Sequence, residues 1–427
     1  MKTGILGGGI SGLCLQYFLK QPSEILEKAT IPGGLCRTFY KDGFGYDLGG
    51  HILFTKNKAV SDLVEKFLGE NIHQCRRENK ILYKGKIVKY PFENGLSALG
   101  KEEAFECLIH YLNADYPKPV NLKEWAYYTF GKGIAEKYFI PYNEKIWNIR
   151  AEELSLEFVD RIPKPPREDV VKSAMGIETE GYLHQLYFKY PKRGGVEALV
   201  KAMITDQTKM TCDFGIERIE KKNKQWIVSS KHESKAFDHI VLSYPIHEAV
   251  KHFQDIPDSV RDAIGNLRYN SMKIVMIAVN NESLLNHSAM YIPDPDVVCH
   301  RICFMGFFSK ELVRPGTSSL IAEITTNAGD GIHELNDEQI TERVISDLER
   351  VGVLKKNDVI CTDVQNLTYG YPVYDHKYRK NATLFRDYFQ SIGVSLLGRF
   401  AEFEYINSDE CIRRAVALSE TLNQSGN

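Results

Sequence analysis

The first residues of the chain combine glycines and a carboxylate at spacings that suit the binding of a dinucleotide. A short apolar run, Gly4-Ile5-Leu6, leads into Gly7-Gly8-Gly9-Ile10-Ser11-Gly12. In this Gly-x-Gly-x-x-Gly pattern, Gly7 permits a tight strand-to-helix turn, Gly9 lets the backbone approach a pyrophosphate, and Gly12 lets helix and strand pack closely. Glu27, followed by Lys28, ends a second apolar segment, where a carboxylate accepts ribose hydroxyls. The sequence therefore predicts a dinucleotide at the N-terminus of the first helix.

A second glycine-rich passage follows this unit and carries further groups able to contact a ligand. It contains Gly33-Gly34-Leu35-Cys36-Arg37-Thr38 and Asp47-Leu48-Gly49-Gly50-His51. Glycines at these positions indicate backbone that turns tightly or approaches a ligand. Arg37 offers a fork of donors to phosphate or ring oxygens, and His51 is the side-chain type most easily charged near neutral pH. Asp47 is expected to order this turn rather than to act as a catalytic acid.

Bulk properties exclude several classes of function. The 427 residues, with a formal charge of -2, predict two or three domains and give no whole-chain reason to expect nucleic acid as a partner. The nine cysteines are scattered and never spaced Cys-x-x-Cys, so neither a disulfide framework nor a metal site is expected. Cysteines of this kind favour a reducing, cytoplasmic location. Because no run reaches ~18 apolar residues, no integral membrane segment is expected.

Local patterns predict the elements that must position these groups. Alternation around Lys84-Gly85 indicates a β-hairpin, and the stretch from Leu96 to about Phe158 has mostly helical spacing. Prolines then break the pattern in a basic loop between Arg161 and Arg167. Strands are predicted near residues 216–219, 226–228, 240–242, 273–279, 302–308, 320–325 and 394–397, with helices near 196–203, over 337–351 and from 408 onward.

The glycine passages resemble those of the flavoprotein amine-oxidase superfamily, which includes protoporphyrinogen-oxidase-like proteins. That superfamily follows its dinucleotide fingerprint with Gly-Gly-x-x-Arg-Thr and an aspartate before Gly-Gly, matched here by residues 33–38 and 47–50. The resemblance implies FAD as the cofactor. The residues expected to contact FAD are Gly7, Gly9, Ile10, Ser11, Gly12, Glu27, Lys28, Gly34, Leu35, Arg37, Thr38, Asp47, Gly49, Gly50, His51, Ile219, Gly398, Arg399, Asn407, Ser408 and Asp409.

Within that superfamily, motifs spread over nearly the whole chain resemble the UDP-galactopyranose mutase family. They are Gly49-Gly50-His51-Ile52, Tyr90-Pro91-Phe92-Glu93-Asn94, Tyr142-Asn143-Glu144-Lys145-Ile146-Trp147, Arg161-Ile162-Pro163, His300-Arg301-Ile302-Cys303-Phe304, Tyr371-Pro372-Val373, and the segment from Gly398 to Asp409. The last match is the most specific, since a strand end and a helix cap do not explain its arginine and two aromatics. Two departures stand out. Glu93 replaces the family's glutamine beside the uridine, and Lys164-Pro165-Pro166 precedes Arg167 where bacterial mutases carry their next arginine sooner.

The resemblance implies an α/β fold: a Rossmann-like, discontinuous FAD-binding domain with an inserted helical domain and an antiparallel β-sheet substrate domain. We expect residues 1–75, 185–265 and 360–427 in the first domain, 76–95 and 266–359 in the sheet domain, and 96–184 in the helical domain. The implied enzyme is an isomerase that interconverts the pyranose and furanose forms of a UDP-sugar for cell-surface polysaccharide biosynthesis. Reduced FAD, with NAD(P)H among the candidate reductants, attacks the anomeric carbon through its N5 atom in that family.

The resemblance also implies which side chains act on the nucleotide sugar. His51, Arg301 and either Arg161 or Arg167 are expected as catalytic residues, the last from the loop. Phe92, Asn94, Trp147, Arg301, Tyr371 and Tyr405 are expected to bind the substrate. Two other functions remain open: a flavin oxidoreductase acting on amines or porphyrinogens, and a non-catalytic protein like the GDP-dissociation inhibitors. The Arg301, Tyr371 and Tyr405 set disfavours the first, and the retained Gly33–Thr38 segment disfavours the second.

Overall fold

The computed structural model describes residues 1–180 and 186–425 of the chain. Its strands, in chain order, are β1 (Thr3–Leu6), β2 (Ser23–Leu26), β3 (Thr38–Lys41), β4 (Phe44–Asp47), β5 (Ile72–Arg76), β6 (Asn79–Tyr83), β7 (Lys86–Lys89), β8 (Tyr187–Pro191), β9 (Met210–Thr211), β10 (Ile216–Lys222), β11 (Gln225–Ser230), β12 (Ser234–Phe237), β13 (His239–Leu242), β14 (Tyr269–Val279), β15 (Ala289–Tyr291), β16 (Arg301–Phe304), β17 (Ser318–Thr326), β18 (Val359–Pro372) and β19 (Val394–Leu396).

Helices flank and connect these strands. They are α1 (Ile10–Phe18), α2 (Lys58–Leu68), α3 (Lys101–Leu112), α4 (Leu122–Ile134), α5 (Ile140–Trp147), α6 (Arg167–Ala174), α7 (Glu197–Lys201), α8 (Ile246–His252), α9 (Asp258–Gly265), α10 (Met305–Phe308), α11 (Asp337–Arg350), α12 (Tyr378–Ser391) and α13 (Ser408–Ser425). A π-helical turn, Ala135–Phe139, joins α4 to α5. None of the helices in the described part of the chain is long and apolar enough to cross a membrane.

A parallel five-stranded sheet forms the dinucleotide-binding half of the protein. Its strand order is β19-β13-β1-β2-β9, so strands from both ends of the chain lie side by side. All four residues of β1 are buried, as expected for a parallel strand covered on both faces. The helices α1 and α13 pack against each other on this sheet, with Ile412 and Ala415 of α13 fully buried. The predicted Rossmann-like arrangement is confirmed.

Two glycines of the first motif are fixed by close backbone contact. Gly7 has φ +115°, which favours glycine, and its N–H donates to the Leu26 carbonyl at 2.9 Å. A Cβ added at Gly12 would lie 2.2 Å from the Gly7 oxygen. The turn between β1 and α1 therefore tolerates no side chain at residue 12.

A seven-stranded sheet forms the second half, with order β18-β14-β17-β16-β15-β6-β7. The predicted hairpin at Lys84-Gly85 is confirmed as β6–β7, and β6 joins the sheet by parallel pairing with β15. All the other pairings in this sheet are antiparallel. The predicted boundary at residue 360 was wrong for β18, because this strand pairs along its length with β14 in the same sheet. The remaining domain boundaries stay predictions.

The predicted helical stretch between these sheets is confirmed as α3, α4, the π-helical turn and α5. Its core is aromatic, with Trp125, Phe130 and Phe139 packed at centroid distances of 5.3–5.5 Å. At Gly131 the backbone leaves the helical conformation, with φ +68°, and an added Cβ would lie 2.2 Å from the His110 carbonyl oxygen of α3. This kink lets α3 and α4 approach closely. The residues after the loop prolines also form a helix, α6, which begins at Arg167.

We expect Gly12→Ala to destabilise the protein by about 2–3 kcal/mol, because the new methyl group overpacks the turn against the Gly7 oxygen. Urea unfolding followed by circular dichroism measures this change. Gly265→Ala is the matched control, since a Cβ at Gly265 meets no atom within 4 Å. Equal unfolding midpoints for the two variants would refute the packing argument.

Candidate functional site

A cleft of about 800 Å³ opens between the two sheets and the helical segment. The second glycine passage lines it with Gly49, Gly50 and His51, and the seven-stranded sheet contributes Arg301 and Tyr371. The helical segment supplies Trp147, and the start of α13 supplies Asn407, Ser408 and Asp409. Residues from five separate regions of the sequence therefore converge on one cavity.

The N-terminus of α1 is arranged to receive an anionic group. Gly9 precedes the helix with no side-chain cap, and no acidic residue lies in the first turn. The free N–H groups and helix dipole there favour phosphate. The Glu27 carboxylate accepts hydrogen bonds from the Gly8 and Ala29 N–H groups at 2.6 and 2.8 Å, which fixes it at the end of β2. Lys28 beside it is exposed.

The backbone of Gly33 and Gly34 lies directly against this turn. The Gly33 N–H donates to the Gly8 carbonyl at 2.8 Å, and a Cβ added at Gly34 would lie 3.2 Å from the Gly9 Cα. Leu35 continues into the cleft lining. The Arg37 guanidinium stacks on the Phe39 ring at 4.9 Å and does not line the cleft. The two glycine passages thus meet at one place, as the sequence predicts, with Arg37 outside the main cavity.

Asp47 and Thr38 support the second glycine passage from behind. Both Asp47 oxygens are occupied: the Thr38 hydroxyl donates to one at 2.7 Å and the Tyr190 hydroxyl to the other at 2.5 Å. Burial raises the pKa of Asp47 to about 6, against the opposing hydrogen bonds from Tyr190 and Thr38. A Cβ on Gly195 would lie 2.3 Å from the Thr38 hydroxyl oxygen, so the network is closely packed. These two residues hold the loop in place and do not line the cleft.

An ion pair between the fully buried Glu323 carboxylate and the partly exposed Arg301 guanidinium joins the sheet to the glycine passage. Arg301 donates to both oxygens of Glu323, from Nε at 3.1 Å and from a terminal nitrogen at 2.6 Å. The same carboxylate accepts the Gly50 N–H at 3.0 Å. Burial acts to raise the pKa of Glu323, but Arg301 and His300 outweigh it and hold the pKa well below its usual range. Glu323 therefore stays ionised and orients Arg301 toward the cavity.

The sequence analysis missed Glu323, although a signal was present. Glu323 is the one charged residue of β17, whose nine residues are all buried. A lone carboxylate in such a strand needs a partner, because burying an unpaired charge is costly. Its partner stands on the neighbouring strand, in register. Tyr291 was also missed; it lies opposite Arg301 in the β15–β16 pair and lines the cleft.

His51 lies in the cleft as a neutral imidazole. Burial and, to a smaller extent, the nearby Arg399 guanidinium lower its pKa to about 4, against the opposing effect of Glu323. Its Nδ1 atom is buried without a hydrogen-bond partner in the described part of the chain. A buried polar atom without a partner, on a residue that lines a cavity, calls for a hydrogen bond from a ligand. The unpaired nitrogen of the cavity-lining His51 fits a flavin ring system beside this residue.

Three aromatic side chains and two arginines form a cluster in the cleft. Tyr405 makes edge-to-face contacts with Tyr371 and Trp147, both at 5.4 Å between centroids. The Arg161 guanidinium lies 4.4 Å from the Tyr405 ring centroid and donates to the Tyr405 carbonyl oxygen. Arg399 approaches the same ring at 5.3 Å. The predicted substrate-binding residues Trp147, Arg301, Tyr371 and Tyr405 are therefore brought together.

The structure distinguishes between the two loop arginines. Arg161 lines the cleft, whereas Arg167 begins α6 and donates to the Leu112 carbonyl of α3 at 3.2 Å. Arg167 does not line this cavity because the helix that starts at residue 167 directs it to the outer side of the helical segment. Of the two loop arginines that were left as alternatives, Arg161 is the one that lines the cleft, and its contact with the substrate stays a prediction.

The predictions for Phe92 and Asn94 were also wrong. Phe92 is fully buried and stacks on Tyr138 at 5.1 Å, and the Asn94 amide donates to the Thr179 carbonyl at 3.1 Å. Both residues belong to a single helical turn, Phe92–Asn94, that directs them away from the cavity. Glu93, between them, lines the cleft instead.

The segment from Gly398 to Asp409 forms another wall of the cleft. Gly398 has φ +99° and would place a Cβ 2.7 Å from the Ser11 hydroxyl oxygen, so this turn contacts the first helix. The Arg399 Nε donates to the Ile406 carbonyl at 2.8 Å. Burial raises the pKa of Asp409, opposed by a hydrogen bond from Thr55. These contacts place the start of α13 against both glycine passages.

Ile219 does not line the cleft. Its side chain is fully buried in the three-stranded sheet β10-β11-β12, opposite Val228. The predicted contact between Ile219 and the cofactor stays a prediction, and the buried side chain does not take part in it. No group of three or more potential metal ligands occurs within residues 1–180 and 186–425.

We expect Glu323→Gln to destabilise the protein by about 3–5 kcal/mol, since it leaves the Arg301 charge without its partner. Guanidinium unfolding at neutral pH measures the loss. The control is Glu342→Gln, which removes an exposed pair with Lys356 and should leave the midpoint unchanged. Similar midpoints for both variants would mean that the Arg301 pair does not hold the sheet and glycine passage together.

Comparisons with known proteins agree with this geometry. A family model of the NAD(P)-binding Rossmann-like domain matches residues 5–67. The UDP-galactopyranose mutase of Mycoplasma pneumoniae is 20% identical over 98% of this chain and 96% of its own length. A solved structure of reduced UDP-galactopyranose mutase has a TM-score of 0.90, with 22% identity, and covers 99% of this chain and 93% of that one. A putative protoporphyrinogen oxidase from Exiguobacterium has a TM-score of 0.79, with 19% identity and 99% coverage of both chains. The resemblance of this chain to the UDP-galactopyranose mutase family, predicted from its motifs, is thus confirmed along the sequence and in the fold.

Proposed function

We propose that this chain is an FAD-dependent mutase that interconverts the pyranose and furanose forms of a UDP-sugar. The observation that carries the proposal is the Arg301, Tyr371 and Tyr405 set, which lines the same cleft as the flavin-side residue His51. Such a set suits a diphosphate better than it suits an amine or a tetrapyrrole. The likeness to UDP-galactopyranose mutases in sequence and fold supports it.

In this proposal the two glycine passages hold FAD. The N-terminus of α1 binds the pyrophosphate, and Glu27, already fixed by two N–H groups, accepts the ribose hydroxyls. Gly49, Gly50 and the neutral imidazole of His51 would hold the flavin ring. Bound and reduced, the flavin supplies a nucleophile for the anomeric carbon of the sugar.

The side chains of the cleft bind and orient the nucleotide sugar. Arg301, held by Glu323, donates to the diphosphate both in the substrate and as it departs. The Tyr371 and Tyr405 hydroxyls add donors, and burial keeps Tyr371 protonated by raising its pKa well above the usual range. Arg161 completes the set from the loop, and Trp147 shapes the sugar pocket. The aromatic walls exclude water from the reacting centre.

Turnover by the reduced protein tests the reaction. Protein reduced with dithionite should interconvert UDP-galactopyranose and UDP-galactofuranose, as resolved by liquid chromatography, whereas the oxidised protein should not. Bleaching of the flavin by amines or porphyrinogens, without turnover of either sugar, would favour the oxidoreductase function. A colourless protein that FAD does not reconstitute would contradict both enzyme functions and favour a binding protein.

The loop arginines provide a matched pair of variants. Arg161→Ala should weaken nucleotide-sugar binding by about 1.5–3 kcal/mol, or roughly 10- to 150-fold in KM, through loss of a charged hydrogen bond to the diphosphate. Arg167→Ala should leave KM within about twofold of wild type, because Arg167 contacts Leu112 outside the cleft. Steady-state kinetics of the reduced variants measure both values. Equal effects of the two substitutions would contradict the placement of Arg161 on the substrate.

A further inference from the structure

Phe403 has a backbone conformation that is rare for a bulky residue. Its φ is +51°, in the left-handed region that favours glycine, and its side chain is fully buried. The ring packs against that of His247 at 5.2 Å between centroids. A residue other than glycine keeps this conformation only where the surrounding structure enforces it, and such residues cluster at functional sites. Because Phe403 lies two positions before the cleft-lining Tyr405, its turn sets the direction in which the chain enters the cleft.

The Arg386 side chain of α12 enforces this turn through the backbone. Its Nε donates to the Glu402 carbonyl at 2.8 Å, and a terminal nitrogen donates to the Phe403 carbonyl at 3.3 Å. The Tyr378 hydroxyl, from the start of the same helix, donates to the Phe403 carbonyl at 2.9 Å. The other terminal nitrogen of Arg386 lies 3.0 Å from the Glu404 carboxylate. A planar guanidinium can hold two successive carbonyls and a carboxylate together, whereas the compact ammonium of a lysine cannot.

A second arginine contacts the same turn in a different way. Arg414 of α13 pairs with the carboxylates of Glu402 and Glu404, at 2.7 and 2.5 Å. These contacts are made to side chains, which can rotate, whereas Arg386 binds the carbonyls that define the path of the chain. Arg386 does not line the cleft. Any effect of Arg386 on a ligand must therefore pass through another residue.

Tyr405 is the residue through which this turn reaches the cleft. Its N–H donates to the Tyr374 hydroxyl at 2.6 Å, and the Tyr374 ring stacks on that of Tyr378 at 4.0 Å between centroids. The backbone is thus held both at Phe403 and at Tyr405 by groups in or next to α12. The Tyr405 ring packs on Tyr371, which the proposed function also assigns to the diphosphate. A shift of the turn would move the Tyr405 hydroxyl relative to this partner.

We infer that Arg386 is a positioning residue, which holds the left-handed turn at Phe403 and so places the Tyr405 hydroxyl for a hydrogen bond to the diphosphate of a bound nucleotide. This inference rests on the proposed function, which assigns Tyr405 to the diphosphate. Because Arg386 acts from outside the cavity, its contribution to binding exists only while Tyr405 carries its hydroxyl group. A residue that merely stabilises the fold does not show this dependence.

A double-mutant cycle on UDP binding by the FAD-containing protein tests the inference. Arg386→Lys keeps the charge beside Glu404 but loses the fork that holds the two carbonyls, and Tyr405→Phe removes only the hydroxyl group. Calorimetry should show roughly two- to tenfold weaker binding for Tyr405→Phe, and up to the same loss for Arg386→Lys. The double variant should bind UDP no more weakly than Tyr405→Phe alone. Losses that multiply in the double variant would overturn the inference.

The same helix offers a matched control. Arg379 belongs to α12, its side chain is 79% exposed, and it pairs with Glu157 at 3.0 Å. Arg379→Lys should therefore leave the UDP affinity and the visible absorption spectrum of FAD unchanged. A loss of UDP affinity in Arg379→Lys equal to that in Arg386→Lys would overturn the inference, because the effect would then belong to any arginine of the helix.

Tyr378→Phe completes the test if Arg386→Lys does not fold. This substitution removes one hydrogen bond to the Phe403 carbonyl and keeps the ring that stacks on Tyr374. It should weaken UDP binding about twofold in wild type and not at all in the Tyr405→Phe background. Full UDP affinity in both Arg386→Lys and Tyr378→Phe would overturn the inference and leave the proposed function intact. Failure of the FAD-containing wild type to bind UDP would contradict the proposed function, and the inference with it.

Discussion

The Glu323 carboxylate, paired with Arg301 and with the Gly50 N–H, is the contact on which the site depends. It joins the seven-stranded sheet to the second glycine passage, so two walls of the cleft are held together by the same carboxylate. It also neutralises a guanidinium that would otherwise be costly to bury. Arg301 therefore cannot be removed cleanly: Arg301→Ala leaves Glu323 ionised and unpaired, and loss of ligand binding in that variant would mix electrostatics with unfolding.

Features set by local backbone requirements were predictable from the sequence. Gly7 and Gly12 meet constraints that lie within a few residues of them, and the Lys84-Gly85 turn places its own two strands. Hydrophobic periodicity located the helical segment and the buried strands for the same reason. The resemblance in motifs predicted that Trp147, Tyr371 and Tyr405 share one cavity, and all three line the cleft in the structure.

What escaped prediction depends on partners far away in the sequence or on the direction of a side chain within a turn. The role of Glu323 as the partner of Arg301 depends on the pairing of β16 with β17. Arg161 lines the cleft and Arg167 does not, because α6 begins at Arg167. Glu93 lines the cleft and Phe92 does not, because of the rotation of the helical turn Phe92–Asn94. Neither a glycine pattern nor hydrophobic spacing encodes such rotations, because they are fixed by the packing of neighbouring elements.

The strand order of the parallel sheet has a consequence for synthesis of the protein. The strands β1 and β2, which carry the first glycine turn, are completed by β13 and β19, and α13 covers α1. These partners lie more than two hundred residues downstream, so the contact order of this half is high and its folding is expected to be slow. A growing chain exposes the apolar surface of β1 and α1 until β13, β19 and α13 have been synthesised, so this half is the one more exposed to aggregation during synthesis.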